Sequence, residues 1–144
     1  MDIFIFRKVK RMDKLEYIPG DFISVYVGVK KYIVEVIGTE NENEVLSYQI
    51  KFPNGEIQYA DKDNIVPIPL TPEILEKNGW KNDGYDWYKL PTKRAYLYIT
   101  KDIITLGEFL VCVGLDRHNL ASINFVHQLQ HILFGLRLNS EMEV

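Results

Sequence analysis

Apolar and polar residues alternate with a period of two along much of residues 20–68, which predicts β-strands with one buried face. In the clearest run, Tyr48, Ile50 and Phe52 alternate with polar residues. An Asn-Gly pair ending at Gly55 follows, and it is typical of a tight hairpin turn because both positions accept a positive φ. Five short strands in about fifty residues favour a closed or nearly closed barrel, which leaves no sheet edge exposed. The clearest predicted strands are 21–27, 32–37, 45–52 and 56–60.

Helical patterns appear at both ends of the second half, residues 70–144. Thr71 followed by Pro72 predicts a helix start, because threonine caps free N–H groups and proline has none at the first helical position. Gly79 predicts the end of that helix, because glycine adopts the left-handed conformation readily. A second helix is predicted over 122–136, where apolar residues recur at helical spacing. That stripe consists of Val126, Leu129, Leu133 and Leu136.

Three strands are predicted between these helices, which makes the second half an α-β-β-β-α unit. The final helix is expected to cover one face of the antiparallel sheet, because its apolar stripe must be buried. The predicted strands are 85–90, 95–99 and 109–113. The predicted fold class is therefore α+β, with a basic N-terminal extension over 1–14, a β-barrel over 15–69 and the α-β-β-β-α unit over 70–144.

The first half resembles the SH3-like barrels of Tudor and KOW type over about a third of the chain. The resemblance rests on Gly20-Asp21-Phe22-Ile23, on Tyr32, Val34 and Val36, on Tyr48, Ile50 and Phe52 before Asn54-Gly55, and on 63–68 as a closing turn and strand. It implies an SH3-like barrel over 15–69, followed by the antiparallel sheet flanked by two helices.

Aromatic side chains give this barrel two alternative interpretations. Tudor-type barrels bind methylated side chains in an aromatic cage, where ring faces attract a cation. The preferred alternative is that the rings pack the barrel or pair across strands. The candidate rings are Tyr26, Tyr32, Tyr48 and Tyr59.

The composition is that of a globular protein of 144 residues, with 17 Lys and Arg against 20 Asp and Glu and a net charge of −3. This balance argues against a generic nucleic-acid coat. The single cysteine, Cys112, excludes an intramolecular disulfide and a cysteine-based zinc finger, and it favours a cytoplasmic location. No apolar run approaches the ~20 residues that a membrane span needs, so we predict no membrane partner.

Basic residues are concentrated near the start of the chain. Residues 1–34 carry a net charge of +3, whereas residues 35–66 carry −5. The cluster predicts either a solvated arm or an arm that contacts nucleic acid or an acidic partner. Met12 directly follows the first basic residues, so the natural start is either Met1 or Met12. The basic residues of the nucleic-acid alternative are Arg7, Lys8, Lys10 and Arg11, with Lys30 and Lys31 at a barrel turn.

His127 and His131 are spaced i, i+4 and therefore share one face of the predicted final helix. Histidines so placed can share a zinc ion, with Asp116 or His118 as a third ligand. Gln128 stands where a His-Glu-x-x-His metalloprotease needs its general base, and glutamine cannot accept the proton. A metalloprotease of that class is therefore not expected. The alternative is a polar helix face that hydrogen-bonds to water, to the sheet rim or to a partner.

Sequence motifs of the common enzyme classes are missing. The chain contains no phosphate-binding glycine loop, dinucleotide fingerprint or nucleophile elbow. We therefore predict no catalytic residue, no cofactor and no bound metal, and the sequence favours a non-enzymatic protein.

Two runs are distinctive, one over 65–80 and one over 123–136. The first contains Pro67-Ile68-Pro69-Leu70-Thr71, and the second contains Val126-His127-Gln128-Leu129-Gln130. Together they resemble a group of small proteins from gut anaerobic bacteria, their tailed phages and mobile elements. The resemblance implies a phage or mobile-element accessory protein, in the host cell cytoplasm if phage-encoded. It implies no activity, cofactor or catalytic residue.

The function predicted from these patterns is a non-catalytic protein-interaction module that acts on a host or phage partner. One alternative is a nucleic-acid-binding protein that uses the barrel and the basic N-terminus. Another is a protein that binds a small ligand or a metal through the histidines of the final helix. The predicted partner-binding residues are Tyr26, Tyr32, Tyr59, His127, Gln128, Gln130 and His131; the oligomeric state is not predicted.

Overall fold

The computed structural model describes residues 16–42, 45–92, 96–101 and 107–144. In these residues the chain forms two five-stranded antiparallel sheets and two α-helices, which confirms the α+β class. The predicted extension over 1–14 lies outside the described residues. None of the described helices is long and apolar enough to cross a membrane.

The first sheet contains β1 to β5 in the spatial order β4-β3-β2-β1-β5. Its strands are β1 (Phe22–Val27), β2 (Lys30–Glu42), β3 (Val45–Lys51), β4 (Ile57–Asp61) and β5 (Ile65–Val66), with a 3₁₀ turn at Lys62–Asn64 before β5. The predicted strands are thus found. β2 runs further than its apolar pattern suggests, because a register shift between Val36 and Gly38 lets pairing with β3 continue into the acidic segment.

The predicted closed barrel is not formed by the described strands. β4 and β5 are the two edges of the first sheet, and no pairing between them is present among these residues. β5 has only two residues, so it offers little edge for a second partner, and its described pairing is with β1. The sheet nevertheless encloses its own apolar core, which includes Tyr17, Ile23, Val25, Val34, Val36, Tyr48 and Ile50.

The second sheet contains β6 to β10 in the order β10-β9-β8-β7-β6. Its strands are β6 (Lys81–Asn82), β7 (Trp87–Leu90), β8 (Leu97–Lys101), β9 (Phe109–Val113) and β10 (His118–Ile123). The prediction of three strands is therefore corrected to five. β10 lacks a clear apolar alternation, because a bulge between Asn119 and Ala121 breaks its period of two.

The two helices pack on one face of this sheet. In α1 (Pro72–Lys77), the Thr71 hydroxyl accepts a hydrogen bond from the Ile74 N–H at 3.2 Å, as predicted for an N-cap. α2 (Val126–Gly135) begins four residues later than predicted, because Ser122 still belongs to β10. Its predicted stripe is confirmed. The stripe packs into a core with residues of α1, of the second sheet and of the C-terminal segment, among them Leu75, Trp80, Leu97, Ile99, Val111 and Met142.

The two sheets are joined closely around the predicted boundary near residue 69. Ile68 and Leu70 belong to the core of the second sheet. The Leu70 N–H donates to the Asn124 carbonyl, and the Val126 N–H donates to the Ile68 carbonyl, each at 2.9 Å. These bonds fix the start of α2 beside the end of the first sheet.

Candidate functional site

The side-chain amide of Gln130, in α2, is buried between the start of the first sheet and the C-terminal segment around Ser140. Its Oε1 accepts the Phe22 N–H at 2.9 Å. Its Nε2 donates to the carbonyls of Gly20 and Ser140 at 2.8 and 3.0 Å. One side chain thus satisfies three backbone groups from two distant parts of the chain.

His131 contacts the same part of the first sheet. Its Nε2 lies 2.6 Å from Oδ2 of Asp21, which is buried at the start of β1. The same carboxylate oxygen accepts the Ile18 N–H at 2.9 Å. Asp21 therefore connects the entry to β1 with the middle of α2.

His127 is buried among rings. Its imidazole lies 4.8 Å from the ring of Tyr17 and 5.9 Å from that of Phe125, centroid to centroid. Burial lowers the pKa of His127 from 6.5 to about 4, and His131 also lowers it, while Asp21 acts in the opposite direction. Burial has the opposite effect on a phenol, whose charged form is the anion, and it raises the pKa of Tyr17. His127 is thus neutral at pH 7, and its Nδ1 has no hydrogen-bond partner among the described residues.

The prediction that this helix face forms a partner surface is corrected for its buried members. His127 and Gln130 are 2% and 3% exposed, so neither side chain is available to a partner. Gln128 is turned back to the helix start, where its Oε1 accepts the N–H groups of Asn124 and Phe125. The polar face therefore holds the two sheets together. Of the contacts expected for this face, those to the sheet are found, since Gln130 and His131 contact the start of β1.

The metal alternative gains no support from the described residues. His118 and Asp116 lie beside each other at 3.4 Å in the exposed β9–β10 turn, with side chains 82% and 73% exposed. No group of three or more metal-binding side chains is found in the described part of the chain. His127 and His131 are thus left without the third ligand that a zinc site needs.

An exposed hairpin tip forms the clearest surface feature of the first sheet. We define it as residues 26–33, the ends of β1 and β2 and the turn between them, and all eight residues are exposed. Gly28 has a φ of 66°, as the first position of a tight two-residue hairpin turn requires. Val29, next to it, is 98% exposed.

The hairpin tip brings together residues that were predicted for two different functions. Tyr26 pairs with Lys31 across the strands, so both side chains lie on one face. Tyr32 and Lys30 lie on the opposite face, where the Tyr32 ring packs against Phe52 at 5.7 Å. Each face of the hairpin tip therefore carries one tyrosine and one lysine. The other exposed apolar side chains here are Val27, Val29 and Ile33.

The predicted aromatic cage of the first sheet is not assembled by its candidate rings. Tyr48 is fully buried and makes an edge contact with Tyr17. Tyr26 and Tyr32 face opposite sides of the sheet, and Tyr59 lies on the edge strand β4. The preferred interpretation, packing and cross-strand pairing, is confirmed for Tyr48. Tyr26, Tyr32 and Tyr59 are exposed, so their role toward a partner stays a prediction.

A cleft of about 760 Å³ lies between the first sheet and the C-terminal segment 139–143. Asn78 ties this segment down: its amide donates to the Glu143 carbonyl and accepts the Glu143 N–H, both at 2.7 Å. The described lining residues include neither histidine nor cysteine. The cleft therefore lacks the pairing of nucleophile and histidine that acyl-transfer chemistry uses.

Sequence reasoning missed a cluster on the second sheet, where Arg117 lies between the rings of Trp87 and Tyr98. The only signal in the sequence is that Trp87 and Lys89 alternate along one strand and Tyr98 occupies the next. Cys112 lies on the same side, buried as predicted. Burial raises its pKa, and Arg117 only partly opposes this, so the thiol is not activated.

Comparisons with known proteins add no assignment. No protein-family model matches the chain, and no curated protein or solved structure matches it.

Proposed function

We propose that the chain is a non-catalytic protein-interaction module, a phage or mobile-element accessory protein that contacts its partner through the hairpin tip. The observation that carries this proposal is the exposure of eight consecutive residues, five of them large and apolar. Soluble proteins seldom leave such a contiguous apolar segment in water unless another molecule covers it. Tyrosine is also enriched at the centres of protein interfaces.

The charge of the hairpin tip defines the kind of partner it fits. Lys30 and Lys31 are its charged residues, and no acidic residue lies within it. A complementary partner would offer an apolar groove for Tyr26, Val29 and Ile33 with carboxylates at its rim. Because the strands remain paired behind the tip, the binding surface is largely preformed.

The first sheet is proposed to be an SH3-like barrel module. Four strands follow each other as neighbours, a 3₁₀ turn precedes the fifth, and the fifth returns to pair with the first. The bulge in β2 supports the same proposal, because bulges bend strands around a small barrel. A cytoplasmic location is proposed with it, since the free, buried Cys112 suits a reducing compartment.

Affinity capture from host cells with hairpin variants tests the interaction. The double variant Tyr26→Ala with Val29→Asp should capture at least about tenfold less of the partner that the wild-type chain captures. The change removes a central ring and places a charge in the apolar contact. The matched control is Phe134→Ala with Leu120→Asp, which changes a 66% and a 47% exposed residue outside the first sheet. Equal capture by wild type and the hairpin double variant would refute the proposal.

A nucleic-acid partner is the second candidate, favoured by the tyrosine and lysine on each face of the hairpin tip. Base stacking on tyrosine and phosphate contacts from lysine are the usual means of binding single strands. Fluorescence anisotropy with a labelled single-stranded oligonucleotide at low salt tests it. In the double variant Lys30→Glu with Lys31→Glu, two phosphate contacts are lost. The slope of log K against the logarithm of the salt concentration should therefore become shallower by roughly 1.4. Lys51→Glu with Lys62→Glu is the charge-matched control, and no binding at low salt would eliminate this candidate.

A further inference from the structure

The second sheet has a face that the helices do not cover. Leu97, Ile99 and Val111 point into the helix-covered core. The alternate residues Trp87, Tyr98 and Cys112 belong to the opposite face, because successive side chains of a strand point to opposite sides. Tyr98 is nevertheless only 6% exposed, so other side chains cover it.

Two cationic side chains cover Tyr98: the Lys89 ammonium lies 5.8 Å from its ring centroid, and the Arg117 guanidinium faces both Tyr98 and Trp87. The Arg117 Cζ is 4.5 Å from the ring centroid of Trp87 and 4.5 Å from that of Tyr98. The two rings are perpendicular, with centroids 6.2 Å apart. The Asp83 carboxylate lies 3.1 Å from a guanidinium nitrogen. We call Trp87, Tyr98 and Asp83 the cage; two ring faces and one carboxylate are the groups that attract a delocalised cation.

Arg117 sits on an exposed turn in an unfavourable backbone conformation. Its φ is 54°, the left-handed region in which residues with a Cβ are strained. The turn is closed by a hydrogen bond from the Arg117 N–H to the Gly114 carbonyl at 3.0 Å, and Leu115 at its tip is 76% exposed. Release of the guanidinium would let this turn relax, while Trp87 and Tyr98 are held on paired strands.

A cleft of about 590 Å³ opens next to the cage and shares Asp83 with it. Lys81 and Lys89 line this cleft, and the Lys89 ammonium lies 5.5 Å from the ring of Tyr96. A chain segment that places an arginine in the cage would therefore run past two lysines. Carboxylates beside that arginine would be favoured, and further basic residues would be repelled.

We propose that the cage is a binding site for an arginine side chain of a partner segment, and that Arg117 occupies it until such a side chain displaces it. The present occupant shows that a guanidinium fits. The site is separate from the hairpin tip, so this inference does not depend on the function proposed above.

NMR with a model ligand tests the cage directly. The variant Arg117→Gly empties the cage and suits the left-handed φ, so it should fold. The ligand is N-acetyl-arginine amide, and the readout is the indole N–H signal of Trp87, with the core residue Trp80 as an internal reference. The Trp87 signal should shift saturably with a millimolar Kd in Arg117→Gly, and at least about tenfold more weakly in wild type, where Arg117 competes.

Three controls make the result specific. Arg137→Gly changes the other arginine with a positive φ among the described residues, 59°, and should behave as wild type. N-acetyl-citrulline amide, a neutral isostere, should leave the Trp87 signal unmoved. Asp83→Asn in the Arg117→Gly background should weaken binding several-fold. If Arg117→Gly does not fold, Arg117→Asn carries the same test, because asparagine also tolerates this conformation.

The last part of the experiment varies the charge of the residue next to the arginine in the ligand. N-acetyl-Arg-Asp amide should bind the Arg117→Gly variant more tightly than N-acetyl-Arg-Lys amide, because Lys81 and Lys89 line the cleft. An unshifted Trp87 signal, equal shifts with the citrulline compound, or equal affinity in wild type and Arg117→Gly would each overturn the proposal.

Discussion

At the scale of single residues, His127 shows how burial changes what a side chain can do. A histidine on a predicted helix face is a reasonable candidate for a metal or a partner. Here the ring packs against Tyr17 and Phe125, and Nδ1 is buried without a partner among the described residues. Such a group favours the neutral form, because the nearby Asp21 carboxylate does not outweigh the lost hydration.

The first prediction concerns the pH dependence of stability. The pKa of His127 is about 4 in the folded chain and 6.5 when solvated, so protons bind more readily to the unfolded state. His127 should therefore leave stability unchanged above pH 6.5 and reduce it as the pH falls from 6.5 to 4, by about 3 kcal/mol in total. His127→Phe should remove this slope while keeping the ring contacts, as urea unfolding at several pH values would measure.

Comparison between wild type and His127→Phe isolates this effect from the carboxylates, which titrate in both proteins. The difference in their free energies of unfolding should be constant above pH 6.5 and should change steadily below it. A difference that stays constant from pH 7 to pH 4 would contradict the assigned burial of a neutral imidazole.

At the scale of elements, α2 uses two glutamines for opposite tasks. Gln128 lies at the start of the helix and only accepts hydrogen bonds there, from Asn124 and Phe125. Gln130 lies two residues later; it accepts the Phe22 N–H of β1 and donates to the carbonyls of Gly20 and Ser140. The first completes the helix terminus; the second joins the helix to the first sheet.

The second prediction follows from this difference, and it uses one substitution at both positions. Gln128→Glu keeps the acceptor and adds a negative charge at the helix N-terminus, so stability should be unchanged or rise by up to about 1 kcal/mol. Gln130→Glu removes two donors and buries a charge, so stability should fall by about 3 kcal/mol or more. Thermal unfolding near pH 7 measures both; equal effects would contradict the two environments.

The same elements show what local pattern predicts about this fold. β1, β3 and the capped helix α1 were predicted because alternation, Thr71 and Gly79 act within a few residues of one another. β10 was missed because its bulge breaks the alternation, and the start of α2 was consequently placed too early. Bulges depend on the neighbouring strand, which a single stretch of sequence does not contain.

At the scale of the whole molecule, the contacts that matter most join residues far apart in the chain. Asp21 and His131 are 110 residues apart, as are Gly20 and Gln130. The spacing of His127 and His131 correctly predicted one shared helix face, but the residue that faces it came from the opposite end of the chain. The cage could not be predicted for the same reason, because its residues and Arg117 are spread over residues 83–117. The exposed tyrosines and lysines of the hairpin tip, by contrast, are neighbours in sequence, so they could be identified as candidates.

The third prediction is that the two sheets unfold as one unit. Their separate cores are joined by Gln130, by the contact of His131 with Asp21, and by Phe22, which packs on the core of the second sheet. Amide hydrogen exchange of Val34 in the first sheet and Val111 in the second should therefore report opening free energies that agree within about 0.5 kcal/mol. Chemical denaturation followed by the fluorescence of Trp80 and Trp87 should give the same value.

Removing these contacts should separate the two transitions. In the double variant Gln130→Ala with His131→Ala, the amide of Val34 should exchange at a lower opening free energy than that of Val111, because the first sheet loses its polar connection to α2. Tyr85→Ala with Leu115→Asp is the control, since both residues are exposed and lie in turns of the second sheet. If Val34 already exchanges more easily than Val111 in the wild type, the sheets are independent, and the polar face of α2 does not couple them.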